Sequence, residues 1–274
     1  MRQLDGRVAA ITGAGSGIGR ATALALADAG CALALSDVDE AGLAETVRLA
    51  EGRAAAGRRI TQHTVDVADK ARMAEWADAA AAEHDGVNIV INNAGVALSQ
   101  TVEDMAIEDV EWLFGINWWG VVYGTRFFLP HLRKADEGHI VNLSSLFGLI
   151  GVPTQSAYCA AKFAVRGFTE TLRIELADSP IGVTCVHPGG IATEIARRAR
   201  FSQGIGGKGR DEAVETFDKI ARTSPEKAAA DIVAGIRKGK GRVVIGADAK
   251  FLQLLPRLMP MRYVGLVDRI LKMA

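Results

Sequence analysis

The chain has 274 residues, of which 49% are hydrophobic and 23% charged, a balance typical of a globular protein with a sizeable core. Its 32 basic residues equal its 32 acidic ones, which argues against nucleic acid as the main partner, because phosphate binding requires a basic excess. The three cysteines form no zinc-like cluster, so we expect no metal site and no disulfide framework, as in a reduced, cytoplasmic protein. We also expect neither a targeting segment nor a spanning helix.

Short apolar segments alternate with longer segments of helical spacing along most of the chain. The predicted strands are Val8–Thr12, Ala32–Ser36, Ile60–Val65, Asn88–Asn92, His139–Ser144, Gly182–His187 and Arg242–Ile245. The predicted helices are Ile18–Ala29, Glu40–Ala55, Lys70–Glu83, Ile107–Arg133, Ser156–Ala177 and Pro225–Arg237. Such alternation predicts an α/β fold: one doubly wound domain over residues 1–249, with a seven-stranded parallel sheet and helices on both faces.

Two regions depart from this alternation. Residues 193–222 are charged, contain Gly204, Gly206, Gly207 and Gly209, and are expected to form a substrate lid or a surface loop. The C-terminal extension, residues 250–274, mixes Leu, Met and Val with five basic residues and one acidic residue. A helix that packs its apolar face on the domain or on a neighbouring subunit is favoured there over a membrane-surface role.

A glycine-rich run, Thr12-Gly13-Ala14-Gly15-Ser16-Gly17-Ile18-Gly19, follows the first strand and opens a helix. In that context glycines let the backbone approach a pyrophosphate at the helix N-terminus, so the run predicts a Rossmann-type dinucleotide site. Asp37 ends the second strand and would repel a 2′-phosphate, which favours NAD over NADP. NADP stays open because Arg20 could bind the phosphate. Asp66 could either cap the backbone or contact the adenine.

Polar residues follow the later strands. Ser145 follows the fifth strand, and Tyr158 and Lys162 are one helical turn apart, so the phenol and the ammonium share a helix face. A nearby cation favours the phenolate, and we therefore expect the tyrosine pKa to lie below its ordinary value of about 10. The serine hydroxyl can then bind a substrate oxygen while the tyrosine transfers the proton.

With these motifs the chain resembles the short-chain dehydrogenase/reductase superfamily, in the subgroup of about 250 residues with TGxxxGxG and YxxxK motifs. The resemblance implies that Tyr158 is the catalytic acid/base, that Ser145 polarises the substrate and that Lys162 binds the nicotinamide ribose. It also implies that Asn117 holds a proton-relay water through its main chain. The match leaves out only the C-terminal extension.

Together, the motifs and the resemblance imply three sets of site residues. The catalytic set is Asn117, Ser145, Tyr158 and Lys162. The cofactor-binding set is Gly13, Ser16, Gly17, Ile18, Gly19, Asp37, Asp66, Val67, Asn93, Ala94, Gly95, Tyr158, Lys162, Pro188, Gly189, Ile191 and Thr193. The substrate set consists of three apolar residues beside the catalytic groups, Leu146, Phe147 and Val152, and one polar neighbour, Gln155.

The function expected is that of an NAD(P)-dependent oxidoreductase, a short-chain alcohol dehydrogenase or carbonyl reductase that interconverts a hydrophobic secondary alcohol and its ketone. Alternatives are a membrane-peripheral lipid or steroid dehydrogenase and a non-catalytic nucleotide sensor. The sensor would be expected to lose Tyr158 or Lys162, and this chain has both. We expect a homodimer or homotetramer, and structural roles for the five histidines, which lack metal-ligand spacing.

Overall fold

The computed structural model describes residues 1–202, 207 and 209–273. Its strands are β1 (Val8–Thr12), β2 (Ala32–Asp37), β3 (Ile60–Thr64), β4 (Ile89–Asn92), β5 (Leu98–Ser99), β6 (Gly138–Leu143), β7 (Ile181–Pro188), β8 (Arg200–Phe201) and β9 (Arg242–Ile245). Its α-helices are α1 (Gly17–Asp28), α2 (Glu40–Glu51), α3 (Lys70–Glu83), α4 (Ile107–Phe114), α5 (Gly120–Leu132), α6 (Ser156–Glu175), α7 (Arg210–Ile220), α8 (Pro225–Arg237), α9 (Ala247–Leu252), α10 (Leu255–Leu258) and α11 (Tyr263–Met273).

Seven strands form one sheet in the order β3-β2-β1-β4-β6-β7-β9, and every neighbouring pair is parallel. The predicted doubly wound α/β sheet is therefore confirmed. The strand order reverses between β1 and β4, which opens a crevice at the carboxyl ends of the strands, where ligands bind in such sheets. The central strands β1, β4 and β6 are buried along their whole length, as their nearly continuous apolar sequences predict.

Helices pack on both faces of the sheet. One buried cluster joins Leu26 of α1 and Ile232 of α8 to Ile11 and Leu35 of the sheet. The other joins Trp76 of α3 and Phe128 of α5, whose rings meet edge-on 5.0 Å apart, to Val90 and Ile140 of the sheet. Burial on both faces holds the strand ends rigid, so that loops at those ends can position functional groups.

The predicted helix over Ile107–Arg133 differs in one respect from the structure. It consists of α4 and α5 joined by a π-helical turn, Gly115–Trp119. Asn117 lies in this turn and is completely buried; its amide side chain binds both backbone groups of Val96, at 2.8 Å each. The π-helical turn therefore carries the residue that contacts the loop after β4. Turns of this kind are frequent at functional sites.

A polar network inside the core joins two central strands to the helices above them. Asn92 of β4 donates to Asn142 of β6 at 2.8 Å and to Thr125 of α5 at 3.1 Å. Asn142 in turn donates to Thr169 of α6 at 3.1 Å. Because buried polar groups must find partners, this network fixes how α5 and α6 lie on the sheet.

The C-terminal extension is helical and its inner face is buried. Leu255 and Val267 pack against Ile150 and Cys159. Helix α9 spans residue 249, the predicted boundary between the domain and the extension. Within the described residues, no helix is both long and apolar enough to cross a membrane.

Two buried histidines predict an acid-sensitive fold. Burial lowers the pKa of His139 and of His187 to about 4 each, whereas an unfolded histidine titrates near pH 6.5. The unfolded chain therefore binds more protons between these values, and stability falls as the pH falls through this window. Each group should lower the free energy of unfolding by about 3 kcal/mol below pH 4.

Urea unfolding followed between pH 7.5 and 4.5 measures this loss. His139 donates to or accepts from Thr184 at 2.8 Å, so His139→Gln retains a polar partner while it removes the titrating ring. The variant should lose part of the pH dependence, and the remainder belongs to His187 and to other groups with lowered pKa, such as His84. Equal slopes in the two proteins would contradict the assignment to His139.

Candidate active site

The glycine-rich loop between β1 and α1 lies at the crevice in the sheet. Gly13 has a φ of +65°, and a Cβ added there would lie 2.7 Å from the α-carbon of Ala94. A Cβ at Gly19 would overlap the carbonyl oxygen of Gly13. The loop is therefore closed against the loop after β4, and only glycine permits both the conformation and the approach.

Thr12 and Asn93 fasten these two loops together. The Thr12 hydroxyl accepts from the backbone amides of Asn93 and Ala94, at 3.0 and 3.1 Å. The Asn93 side chain donates to the carbonyls of Thr12 and Gly13, at 2.9 Å each. The backbone that would face a pyrophosphate is thus pre-formed, which lowers the ordering cost of binding.

Asp37 lies beside this loop. Its carboxylate accepts from the amide of Gly15 at 2.7 Å and from that of Asp39 at 3.0 Å. A Cβ at Gly15 would lie 2.9 Å from this carboxylate, so glycine is required where the loop approaches it. A carboxylate at the end of β2, next to the loop, fits the ribose-binding residue of a dinucleotide site.

Arg20 and Asp66 are engaged with the protein itself. Arg20 donates to Thr46 at 2.9 Å and to the carbonyls of Gly15 and Gly42. It braces the loop against α2, and this use of its donors weakens the case for Arg20 as a phosphate ligand. Asp66 accepts from the amide of Ala68 at 2.9 Å, a local capping contact of an exposed residue.

Other members of the predicted cofactor set surround the same crevice. Ser16 and Ile18 are half-buried, and Val67 is buried against Gly120. Gly95 is exposed; a Cβ there would lie 3.2 Å from the Asn117 side chain and 3.5 Å from the Lys162 ammonium. Asn117, Lys162 and the loop after β4 therefore converge at one place, which the separate motifs could not show.

The segment after β7 closes the other side. Asp248 accepts from the amide of Gly190 at 2.8 Å, and a Cβ at Gly189 would overlap its carboxylate. Ile191 is buried and pairs with Thr223, and the Thr193 methyl would lie 3.2 Å from a Cβ on Gly17. The sequence does not predict this contact, because Asp248 lies about 60 residues after Gly190 and belongs to no recognised motif.

The catalytic candidates lie where β6 ends. Ser145 starts a short 3₁₀ turn and accepts from the amide of Phe147 at 3.1 Å. Its side chain is also close enough to Tyr158 to lower the pKa of that phenol. The Lys162 ammonium lies 5.8 Å from the centre of the tyrosine ring and donates to the carbonyl of Leu143 at 3.0 Å. The structure thus brings the predicted serine, tyrosine and lysine together.

His187 also contacts Ser145. Its Nδ1 lies 2.9 Å from the Ser145 carbonyl oxygen, and the ring is completely buried. Since burial holds the imidazole neutral and a carbonyl only accepts, Nδ1 carries the proton and donates. His187 is structural, as expected of all five histidines, yet it positions the backbone of Ser145.

The expectation of a lowered tyrosine pKa is wrong for the protein without ligands. Burial raises the pKa of Tyr158 to about 12, and the opposing hydrogen bond from Ser145 is the weaker effect. Burial also lowers the pKa of Lys162 to about 8. Helical spacing places the phenol and the ammonium on one face, but desolvation disfavours the charged form of each.

The predicted substrate residues lie in the loop before α6. Phe147 meets the ring of Tyr158 edge-on at 6.1 Å, whereas Leu146 and Val152 are buried against the C-terminal extension. Thr154, next to Gln155, has a φ of +62°, rare for a β-branched residue, and accepts through its carbonyl from Gln100 at 2.9 Å. The loop is thus held in a strained conformation beside Tyr158, as is common at functional sites.

The predicted lid contacts the opposite side of this crevice. β8 pairs in parallel with β5, and Arg200 binds Asp109 at 2.7 Å while its guanidinium lies 3.9 Å from the Trp112 ring centre. α7 contains no buried residue. Gly204 and Gly206 lie outside the described residues, and closure over a substrate stays a prediction.

The chemistry available here is that of an oxidoreductase working with a dinucleotide. A glycine cradle and a carboxylate suit the adenosine and pyrophosphate, and a serine–tyrosine–lysine cluster lies at the other end of the same crevice. A model of the family described as short chain dehydrogenase matches residues 7–204. The chain belongs to that family, as its motifs indicate, and is an NAD(P)-binding oxidoreductase.

Individual relatives agree. The chain is 50% identical over 270 residues to SadH of Mycobacterium tuberculosis strain H37Rv, a protein named as an oxidoreductase, covering 97% of this chain and 96% of that one. It is 31% identical over 271 residues to estradiol 17-beta-dehydrogenase 11 of Homo sapiens, covering 98% and 84%. A short-chain dehydrogenase/reductase from Burkholderia phymatum, solved in complex with NAD, has a TM-score of 0.86 at 30% identity, covering 94% and 95%.

The raised pKa of Tyr158 predicts that this phenol ionises only at a higher pH than an ordinary tyrosine does. At a pH of about 10.5 an ordinary tyrosine is mostly ionised, whereas Tyr158 in the ligand-free protein should remain a phenol. The wild type and Tyr158→Phe should then show the same phenolate absorbance in the ultraviolet, with circular dichroism confirming that both are folded. If the wild type instead shows the absorbance of one more phenolate than Tyr158→Phe does, burial does not raise the pKa of Tyr158.

Proposed function

We propose that the protein interconverts a hydrophobic secondary alcohol and its ketone, with NAD as the preferred cofactor and Tyr158 as the acid/base. The observation that carries this proposal is a buried cluster at one helix face: the Lys162 ammonium lies 5.8 Å from the centre of the Tyr158 ring, and the Ser145 side chain is close enough to lower the Tyr158 pKa. When bound, the nicotinamide supplies the hydride donor or acceptor and, in its oxidised form, a positive charge. Turnover near neutral pH requires the Tyr158 pKa to fall once the site is filled, and a positive charge favours that fall.

The roles of the side chains follow from their contacts. Ser145, whose backbone His187 holds, can donate to the substrate oxygen, and Tyr158 can give or take the proton at that oxygen. Lys162 is buried next to Gly95 and Asn117, which suits a cation that binds a ribose hydroxyl and opens a proton path. The Asn117 side chain is hydrogen-bonded to the backbone of Val96. Its main chain is therefore the part that would hold the water implied by the family resemblance.

Apolar side chains support a hydrophobic substrate. Phe147 meets the ring of Tyr158, and Gln155 is the polar candidate, whereas Leu146 and Val152 give the loop an apolar base packed on the C-terminal extension. Arg197 and Arg200 of the lid are bound to Asp218 and Asp109, at 2.5 and 2.7 Å, so neither is a free cation for an anionic substrate. Estradiol, after which one relative is named, is itself a largely apolar alcohol.

Exposed aromatic side chains support an oligomer. Trp119 is 47% exposed and stacks on Tyr123, which stacks on Phe127 along α5. Phe163 of the neighbouring α6 is 40% exposed. Apolar patches of this kind mark contact surfaces, and we infer a homodimer or homotetramer.

The first prediction concerns the acid/base. Tyr158→Phe removes only the hydroxyl, so the protein should fold and bind cofactor while kcat falls by at least about 10²–10⁴-fold. Tyr123→Phe, a matched change in the stacked aromatics of α5, should leave kcat unchanged. Lys162→Met keeps the buried volume and should lower both kcat and cofactor affinity. Near-normal turnover of Tyr158→Phe would remove this residue from the mechanism.

The second prediction concerns the cofactor. Asp37 faces the glycine loop, whereas Arg20 is occupied by backbone carbonyls, so NADH should be preferred to NADPH. Asp37→Asn with Val38→Arg keeps an acceptor for the Gly15 amide and replaces repulsion by attraction. The ratio of kcat/KM for NADH over NADPH should fall by at least about tenfold.

Val38→Arg alone is the control, since it adds the cation and leaves the carboxylate. A wild type that prefers NADPH would contradict the assignment. The exposed Arg198, whose guanidinium lies 3.8 Å from Asp39, is the cation that would then be tested next.

A further inference from the structure

The C-terminal extension has an exposed apolar side as well as a buried one. Of the thirteen large hydrophobic residues exposed in the described part of the chain, six lie between residues 251 and 266. We call them the tail surface: Phe251, Leu254, Leu258, Met261, Val264 and Leu266. Leu258 is 75% and Met261 is 85% exposed. Clustering of this kind marks a contact surface, since exposed hydrophobics normally occur singly.

The spacing of these residues separates them from the buried side. Phe251, Leu254 and Leu258 follow one another at three and four residues, which places them on one face of the nearly continuous helical segment α9–α10. Ala249 and Leu255 are buried on another face. The inner face therefore packs on the domain as predicted, whereas the side chains of the outer face remain largely exposed in the part of the chain that the structure describes.

Basic side chains flank this outer face. Lys250, Arg257, Arg262 and Arg269 are all exposed, and the sequence from 250 to 274 has one acidic residue, Asp268. In a two-fold symmetric dimer the same basic surface would face itself, and like charges repel, whereas helices that lie in a membrane interface combine apolar residues with Lys and Arg. Charge complementarity therefore favours an anionic lipid surface over a second copy of the chain.

We propose that the tail surface docks the protein on anionic phospholipid bilayers. The inner face of the same segment packs on the loop that carries the substrate candidates: Leu255 and Val267 share a cluster with Leu146 and Val152, and the Tyr263 hydroxyl accepts from the Gly151 amide at 3.4 Å. Docking would thus place the apolar loop beside the catalytic tyrosine next to the bilayer. Delivery of an apolar alcohol from the lipid rests on the proposed function; the docking itself does not.

Flotation with liposomes tests the docking directly. The full-length protein is mixed with vesicles of phosphatidylcholine alone or of equal parts phosphatidylcholine and phosphatidylglycerol. It should float with the anionic vesicles, remain below with the neutral ones and dissociate at high salt. Arg257→Glu with Arg262→Glu should lower the partition coefficient by at least about tenfold, because each basic residue near an anionic surface contributes measurably. Leu258→Ser with Met261→Ser should lower it similarly.

A matched pair of surface changes serves as the control. Val102→Ser with Ile107→Ser alters two hydrophobics that are 68% and 64% exposed elsewhere, and flotation should be unchanged. All variants should keep wild-type kcat/KM on a short water-soluble secondary alcohol, so a failure of docking is seen separately from a failure of catalysis.

Two outcomes would overturn the proposal. One is a wild type that floats with neither vesicle, or a Leu258/Met261 variant that floats as the wild type does. The other is a change of oligomeric state in that variant by sedimentation velocity without any lipid binding by the wild type. That result would assign the tail surface to contact between copies of this chain.

Discussion

The attachment of α6 to the end of β6 is the constraint on which the site depends. Lys162 attaches the helix through two hydrogen bonds. Its ammonium donates to the Leu143 carbonyl at 3.0 Å, and its own carbonyl accepts from the Ser144 hydroxyl at 2.8 Å. Gly148 leaves room for this contact, since a Cβ there would lie 2.7 Å from the Lys162 carbonyl oxygen. Tyr158, one turn earlier on the same helix, is thereby held beside Ser145.

This attachment is made in the buried core, and burial has an electrostatic consequence. A lysine that is 4% exposed and a tyrosine beside it are both pushed toward their neutral forms. Near neutral pH, Tyr158 is therefore a neutral phenol, while Lys162, with a pKa of about 8, is still mostly a cation. A positively charged cofactor bound in the crevice would offset part of the desolvation that disfavours the phenolate.

Contacts distant in sequence complete the crevice on every side. His187 of β7 holds the Ser145 backbone, Asp248 of α9 holds the segment after β7, and β8 pairs with β5. The C-terminal extension packs behind the substrate loop and so continues the same structure rather than forming a separate appendage. Rigid support of this kind is what a reaction needs when hydride and proton must move between fixed atoms.

The sequence by itself determined the features that depend on local pattern. All seven strands of the main sheet, the glycine-rich loop, Asp37 beside it and the one-turn spacing of Tyr158 and Lys162 could be predicted, because periodicity and short spacings act over a few residues. Tertiary structure decided what depends on distant partners or on burial: the direction of the Tyr158 pKa shift, the role of Asp248, the engagement of Arg20 and the two faces of the C-terminal extension. Desolvation and long-range contacts arise only when the chain has closed on itself, so no local pattern encodes them.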